Sequence, residues 1–274
     1  MPPKIKPVIN DVWGEDLAEL NIAVRLDAMR LPLRRAIEMA SQLGASAVEI
    51  DARNDIHPSQ LSETGLRQLR KILDDRNLTV SALRFQTRRG YDQPHELERR
   101  VEATKSAMQL AYRLGAPVVI NSVGVVPGDE ESPQWSSLQS VLDDLGRYGT
   151  HVGAFLAAET GAESGPTLAK LLRGSEDAFI AVCFNPGQLI INRHDVHEAL
   201  QSLKDRIQIV CAVDGVIDLA AGRGIAVPLG QGTADFPELI GMLEDIQYRG
   251  RYIVGRADSS LNELSDGIAY LKQL

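Results

Sequence analysis

Aromatic side chains make up only 5% of this chain, and cysteine occurs twice. With so few large rings, the core has to be assembled from Leu, Ile, Val and Ala, a palette that suits parallel strands buried on both faces. The two cysteines, Cys183 and Cys211, both lie in apolar runs. They read as small buried hydrophobes of a reducing compartment. No apolar run is long enough to span a bilayer, so no membrane partner is expected. The opening Met-Pro-Pro-Lys-Ile-Lys-Pro lacks the apolar core of a secretory leader, which points to a cytoplasmic protein. Positive charge is in deficit: 29 Lys and Arg against 37 Asp and Glu leave a net charge of −8. That field repels phosphate, and no nucleic-acid partner is expected. Histidine is scarce as well, and no two of the five have the spacing of metal ligands on a strand.

What the chain does have is alternation. The first twenty residues, with Pro2, Pro3, Pro7 and Trp13, read as an extended N-terminal arm. From Asn21 onward, β-rich apolar runs occur at Ile22–Leu26, Ala47–Ile50, Leu78–Phe85, Pro117–Asn121, His151–Ala158, Ala178–Phe184, Ile207–Val213 and Tyr252–Val254. Segments of helical period separate them. Leu33, Ala36, Ile37, Ala40 and Leu43 share one face; Leu97, Val101, Met108 and Ala111 share another; Phe236, Leu239, Ile240 and Leu243 form a third. Leu43-Gly44-Ala45 and Leu114-Gly115-Ala116 repeat one joint, a glycine past a helix end followed by a strand. Eight such units in 274 residues close most simply as an α/β TIM (β/α)8 barrel over residues 21–274. No glycine-rich dinucleotide fingerprint follows the first strand, which counts against an open doubly wound sheet.

Barrel chemistry sits at the carboxyl ends of the strands. Strand one ends near Arg25 and Asp27, strand two at Glu49 and Asp51, with His57 in the loop beyond. Strand three gives Arg84, with Arg88 and Arg89 following, and strand four gives Asn121. Strands five to eight give Glu159, then Asn185 and Gln188, then Cys211 and Asp214, then Arg256 and Asp258, the last of which lies outside the residues described below. Alternation points Glu49 and Asp51 the same way. Two neighbouring carboxylates call for a cation, a ligand hydroxyl or an arginine between them, with Arg84 and Arg256 as candidates. A structural ion-pair network is the competing reading of the same residues. Of the histidines, His57 and His194 fall in loops at this face, His151 opens a strand at the far end, and His95 and His197 fall in helices.

Three stretches carry a resemblance. Val152-Gly153-Ala154-Phe155-Leu156-Ala157-Ala158-Glu159, Val182-Cys183-Phe184-Asn185-Pro186-Gly187-Gln188 and Ile209-Val210-Cys211-Ala212-Val213-Asp214 resemble the fifth, sixth and seventh strands of the xylose isomerase-like TIM barrels. Val227-Pro228-Leu229-Gly230-Gln231-Gly232 with Asp235-Phe236-Pro237 resembles the family's loop before its seventh helix. That superfamily includes sugar isomerases, sugar epimerases and the endonuclease IV group. The resemblance implies a sugar isomerase- or epimerase-like protein acting on or binding a small carbohydrate or polyol, with pairing into a homodimer as a mild expectation.

The departures fall on the chemistry. By resemblance, the family's metal-binding Glu is kept as Glu159, its Asp becomes Asn185, and a nearby His becomes Gln188. A second His becomes Cys211, with the Lys two residues later replaced by Val213, and the last Glu becomes Gly255 beside Arg256. Mg²⁺ and Mn²⁺ want charged oxygens. The expectation is therefore a degenerate metal site and no cofactor; any divalent ion, Mn, Mg or Zn, would have to rest on Glu159, Asn185 and Cys211. Glu159 and Glu49 are the candidate bases, and Arg256 the candidate stand-in for the metal's charge beside Glu159. Asp51, His57, Arg84, Asn121, Asn185, Gln188 and Asp214 are the candidate substrate-binding groups. The alternative is a non-catalytic carbohydrate-binding or scaffold protein on the same fold. A DNA-repair endonuclease is disfavoured by the acidic charge and the missing histidine cluster.

Overall fold

A computed structural model describes residues 20–174, 177–218, 223–257 and 259–274. The expected N-terminal arm thus lies, apart from Leu20, outside the described residues. The elements in chain order are β1 (Ile22–Arg25), α1 (Leu33–Gln42), β2 (Ala47–Asp51), α2 (Glu63–Asp74), β3 (Thr79–Arg84), α3 (Leu97–Leu114), β4 (Val118–Asn121), α4 (Pro133–Val152), β5 (Phe155–Glu159) and α5 (Gly165–Leu171). They continue with β6 (Ala181–Phe184), α6 (Pro186–Ile191), α7 (Val196–Leu203), β7 (Ile207–Ala212), β8 (Asp214–Asp218), β9 (Arg223–Val227), α8 (Phe236–Asp245), β10 (Arg251–Val254) and α9 (Leu261–Leu271).

Eight parallel strands close into a barrel in the order β1, β10, β7, β6, β5, β4, β3, β2. The TIM barrel expected from the alternation is the architecture observed. Period-two alternation splits each strand between two cores. Val24, Val48, Ile50, Leu83, Val119, Leu156, Val182, Val210 and Val254 face the helices. Ala23, Ala47, Ala82, Ala157, Ala181, Cys183, Ile209, Cys211 and Ile253 fill the barrel.

Two local expectations are corrected. His151 does not open a strand: it lies in the last turn of α4, which runs to Gly153, a left-handed cap at φ 87°. His95 lies in the turn before α3, not in a helix. An antiparallel hairpin, β8 with β9, was not foreseen; it stands between β7 and α8, outside the barrel ring. Gly187 and Gly224 let α6 and this hairpin approach closely, since a Cβ at either would lie within 2.6 Å of backbone.

Candidate functional site

On five of the eight strands the alternation delivers a polar group to the mouth, two residues beyond a small interior one. Ala23 is followed by Arg25, Ala47 by Glu49, Ala82 by Arg84, Ala157 by Glu159 and Cys183 by Asn185. These side chains converge because parallel register places their strand ends side by side: Arg25 is level with Glu49, and Glu159 with Cys183.

Arg84 is the hub. Its Nε donates to Glu49 Oε1 at 2.7 Å and its Nη1 to Glu159 Oε2 at 2.8 Å. Nη2 makes longer contacts of 3.3 Å to Glu49 Oε2, 3.3 Å to Glu159 Oε1 and 3.4 Å to Cys211 Sγ. The side chain is 7% exposed, with Glu49 at 1% and Glu159 at 14%. Burial on its own disfavours the guanidinium charge, but the two carboxylates overcome it and hold the group firmly protonated. Glu159 feels the mirror image. Burial pushes its carboxyl up, while the charge of Arg84 and hydrogen bonds from Arg84 and Asn185 bring it below the usual value.

Both oxygens of Glu159 are fully engaged. Oε1 accepts from Arg84 and from Asn185 Nδ2 at 3.0 Å; Oε2 accepts from Arg84 and from Gln86 Nε2 at 2.9 Å. Beneath this layer Cys183 and Cys211 touch, Sγ to Sγ 3.1 Å. Burial, then its neighbour Cys211, pushes the Cys183 thiol well up, so it stays a thiol. Ligand atoms of Glu159, Cys183 and Cys211 lie within 4.8 Å of one another, the one three-residue grouping of potential metal donors among the described residues. Arg84 donates to two of the three.

The remaining candidates are distributed around this hub. Arg256 does not pair with Glu159: its guanidinium is held by Glu263 of α9, Nε to Oε1 2.7 Å and Nη2 to Oε2 3.0 Å, and Arg84 takes the place expected for it. Arg25 bridges Asp27, 2.7 Å from Nη2, and approaches Glu49 at 3.5 Å. Asp51 faces its own loop, accepting from Arg53 N and from the backbone and side-chain amides of Asn54. Burial, then Asp51, then Asp27, push the nearby Asp55 carboxyl up to about 6. His57 is tied to Ser59, Nδ1 to Oγ 2.9 Å. Asn121 is wholly buried and spends its amide on Thr87 and Tyr91. Asp214, also wholly buried, accepts four backbone amides, from Gly215, Gly230, Gly232 and Ala234 at 2.8–3.1 Å. It ties the hairpin to the loop before α8.

A cavity of about 490 Å³ opens over the hub, and Arg84, Glu159, Asn185, Gln188 and Arg256 line it. Glu49, Asp51, His57, Asn121, Cys211 and Asp214 are not on its wall. Arg25, Gln86, Ser122, Thr160 and Asn192 are. Gln86 was missed from the sequence although alternation from Ala82 through Arg84 leads straight to it. Hollows of similar size lie at the outer side of α1 and α2 and at the opposite end of the barrel, about 510 and 550 Å³, away from these strand ends.

At Gly255 the backbone takes φ +128°, and a Cβ there would lie 3.1 Å from Arg25 Cβ. A branched or acidic side chain would be strained in that conformation. The carboxylate that the resemblance places here is absent from the sequence, and the local backbone disfavours one.

Residues 37–274 match the family described as xylose isomerase-like TIM barrel. An inosose dehydratase of Bacillus thuringiensis is 24% identical over 216 residues, covering 68% of this chain and 72% of that protein. Among solved structures, a xylose isomerase domain protein from Planctomyces limnophilus superposes with a TM-score of 0.80 at 21% identity, over 93% of this chain and 96% of that one. A xylose isomerase-like TIM barrel protein from Mycobacterium smegmatis in complex with magnesium gives 0.72 at 16% identity over the same shares. With a family match across most of its length and the closed eight-stranded ring to go with it, this chain belongs to the xylose isomerase-like TIM-barrel family.

Proposed function

We propose that the mouth cavity recognises a small carbohydrate or polyol without a divalent metal ion, and that Arg84 supplies the positive charge a cation would otherwise bring. One observation carries this reading: the Arg84 guanidinium lies between Glu49 and Glu159, hydrogen-bonded to both at 2.7 and 2.8 Å. A hard dication needs several charged oxygens at close range. Glu49 and Glu159 already compensate a buried cation, Asn185 and Gln188 are neutral, and the Cys183 thiol is held protonated. That donor set does not fit magnesium or manganese, and it offers zinc too few anionic ligands. The carbohydrate part of the reading draws on relatives that bear the names of sugar and inosose enzymes.

The saturation of Glu159 bears on catalysis. A general base needs a lone pair free for the substrate proton and a pKa near the working pH. Glu159 has four donors on its two oxygens and a lowered pKa. This favours binding over isomerase or epimerase turnover. The turnover reading keeps one supporting observation, the joint exposure of Glu159 and Arg84 on the cavity wall, where the pair would meet a substrate carbonyl or hydroxyl. A thermal-shift panel of sugars, sugar acids and cyclitols, run with and without chelator, tests the proposal. The expected result is a ligand-dependent rise that the chelator leaves unchanged. A fall in melting temperature with chelator alone contradicts the metal-free reading. For any ligand that is turned over, Glu159→Gln separates the two readings: turnover abolished with binding kept assigns Glu159 to catalysis.

A further inference from the structure

We infer that the ligand of this cavity is an uncharged polyol, and that the site discriminates against phosphorylated sugars, because each guanidinium on the cavity wall is already neutralised by a carboxylate of the protein. The inference rests on the carbohydrate reading above and sharpens it.

Recognition of a sugar phosphate requires a cation or a set of free amides at the phosphate. Three arginines line the cavity: Arg25, Arg84 and Arg256. Arg25 is held by Asp27 and approached by Glu49, Arg84 by Glu49 and Glu159, and Arg256 by Glu263. Three guanidiniums thus face four carboxylates. Arg88 and Arg89, in the loop after β3, are exposed and do not line the cavity. The amide of Gln188 in the first turn of α6 is capped by Asn185 Oδ1 at 3.1 Å, so that helix start is also occupied. A dianionic phosphate would have to break an existing ion pair to find a cationic partner on the wall, since each guanidinium there already faces a carboxylate.

The uncharged groups on the wall have capacity to spare. The side-chain amide of Gln188 has no hydrogen-bond partner among the described residues. Gln86 spends its amino group on Glu159 and Asn192 spends its own on Gln188 O, which leaves both amide oxygens as acceptors. Amides that donate and accept match hydroxyls, which do the same. A cavity of about 490 Å³ is ample for one monosaccharide or cyclitol.

The test is calorimetric and thermal-shift titration of the full chain with matched pairs: neutral aldoses, ketoses and myo-inositol, each against its monophosphate, and inorganic phosphate alone. A neutral member that binds at least about tenfold tighter than its phosphate supports the inference. Glu263→Gln releases Arg256, and should raise affinity for the phosphorylated member while changing the neutral one little. A phosphorylated member that binds wild type as tightly as its neutral partner, or tighter, overturns this inference and leaves the carbohydrate reading standing. Binding by no member of either class overturns both.

Discussion

Arg84 on β3 and Glu159 on β5 meet across the barrel mouth, Nη1 to Oε2 2.8 Å, although 75 residues separate them in the chain. The same guanidinium holds Glu49 on β2. Two buried carboxylates that would otherwise repel each other are thereby joined into one triad. Removing the cation from such an arrangement leaves uncompensated buried charge, and the cost of that is about 3–5 kcal/mol. Arg84→Met should destabilise the protein by this amount in urea unfolding. Arg84→Lys should recover only part of it, since an ammonium cannot fork between Glu49 and Glu159. A loss below about 1 kcal/mol would show that the triad is not a structural element.

Removal of Arg84 also has a chemical consequence. Glu49, Glu159 and the Asn185 amide would surround a vacated cationic position. Arg84→Ala is expected to gain stabilisation from millimolar Mn²⁺ or Zn²⁺, read as a rise in melting temperature that chelator reverses. An Arg84→Ala variant indifferent to both ions would mean that the position of the guanidinium is not a cation site at all.

Gly255 is the second reason to expect no metal. Its φ of +128° is closed to most L side chains, so Gly255→Glu should cost about 1–3 kcal/mol and confer no affinity for Mg²⁺. Stability and metal titration on the same variant check both halves. Full stability with new metal affinity would mean that the backbone here yields readily.

Glu163, in the loop between β5 and α5, provides a pH signature. It is 9% exposed, both oxygens lack a hydrogen-bond partner among the described residues, and burial raises its pKa from 4.5 to about 7. A carboxyl whose pKa is raised on folding binds its proton more tightly in the native state. Its contribution is therefore fully present below pH 4.5, declines as the pH rises towards 7, and is absent above that. The span corresponds to roughly 3 kcal/mol. Glu163→Gln mimics the protonated acid, so it should stabilise the protein at pH 8.5 and leave it little changed at pH 4.5. Equal effects at both values would place Glu163 in contact with solvent or with a cation.

Asp214 reads from the sequence as a mouth residue and acts in the structure as a fastening. Its carboxylate takes four amides of the hairpin and of the loop before α8, and Gly232 passes so close that a Cβ there would lie 2.0 Å from Oδ1. Asp214→Ala leaves those amides without an acceptor and should cost about 3 kcal/mol in urea unfolding.

The contrast between Arg84 and Asp214 marks what was legible in the chain. Period-two alternation within a strand is local, so Ala47 to Glu49, Ala82 to Arg84 and Ala157 to Glu159 could be read as interior positions that rise to the mouth. The eightfold recurrence of strand and helix made the barrel itself readable in the same way. Partner choice is not local. Arg256 and Glu263 sit seven residues apart on a loop and a helix, and no periodicity says that they pair; the expectation of an Arg256–Glu159 contact failed there. The β8–β9 hairpin has no place in a repeat of one strand then one helix, so the alternation gives no sign of it. His151 was misplaced by a run of apolar residues that begins in α4 and crosses Gly153 before β5 starts.

The central claim is that Arg84 stands where a cation would be needed, and titration of the purified, chelator-treated wild-type protein with Mn²⁺ tests it most directly. Calorimetry with the free ion followed by paramagnetic resonance should show no saturable site in the micromolar range. One Mn²⁺ bound per chain, lost on Glu159→Gln substitution, would contradict the account.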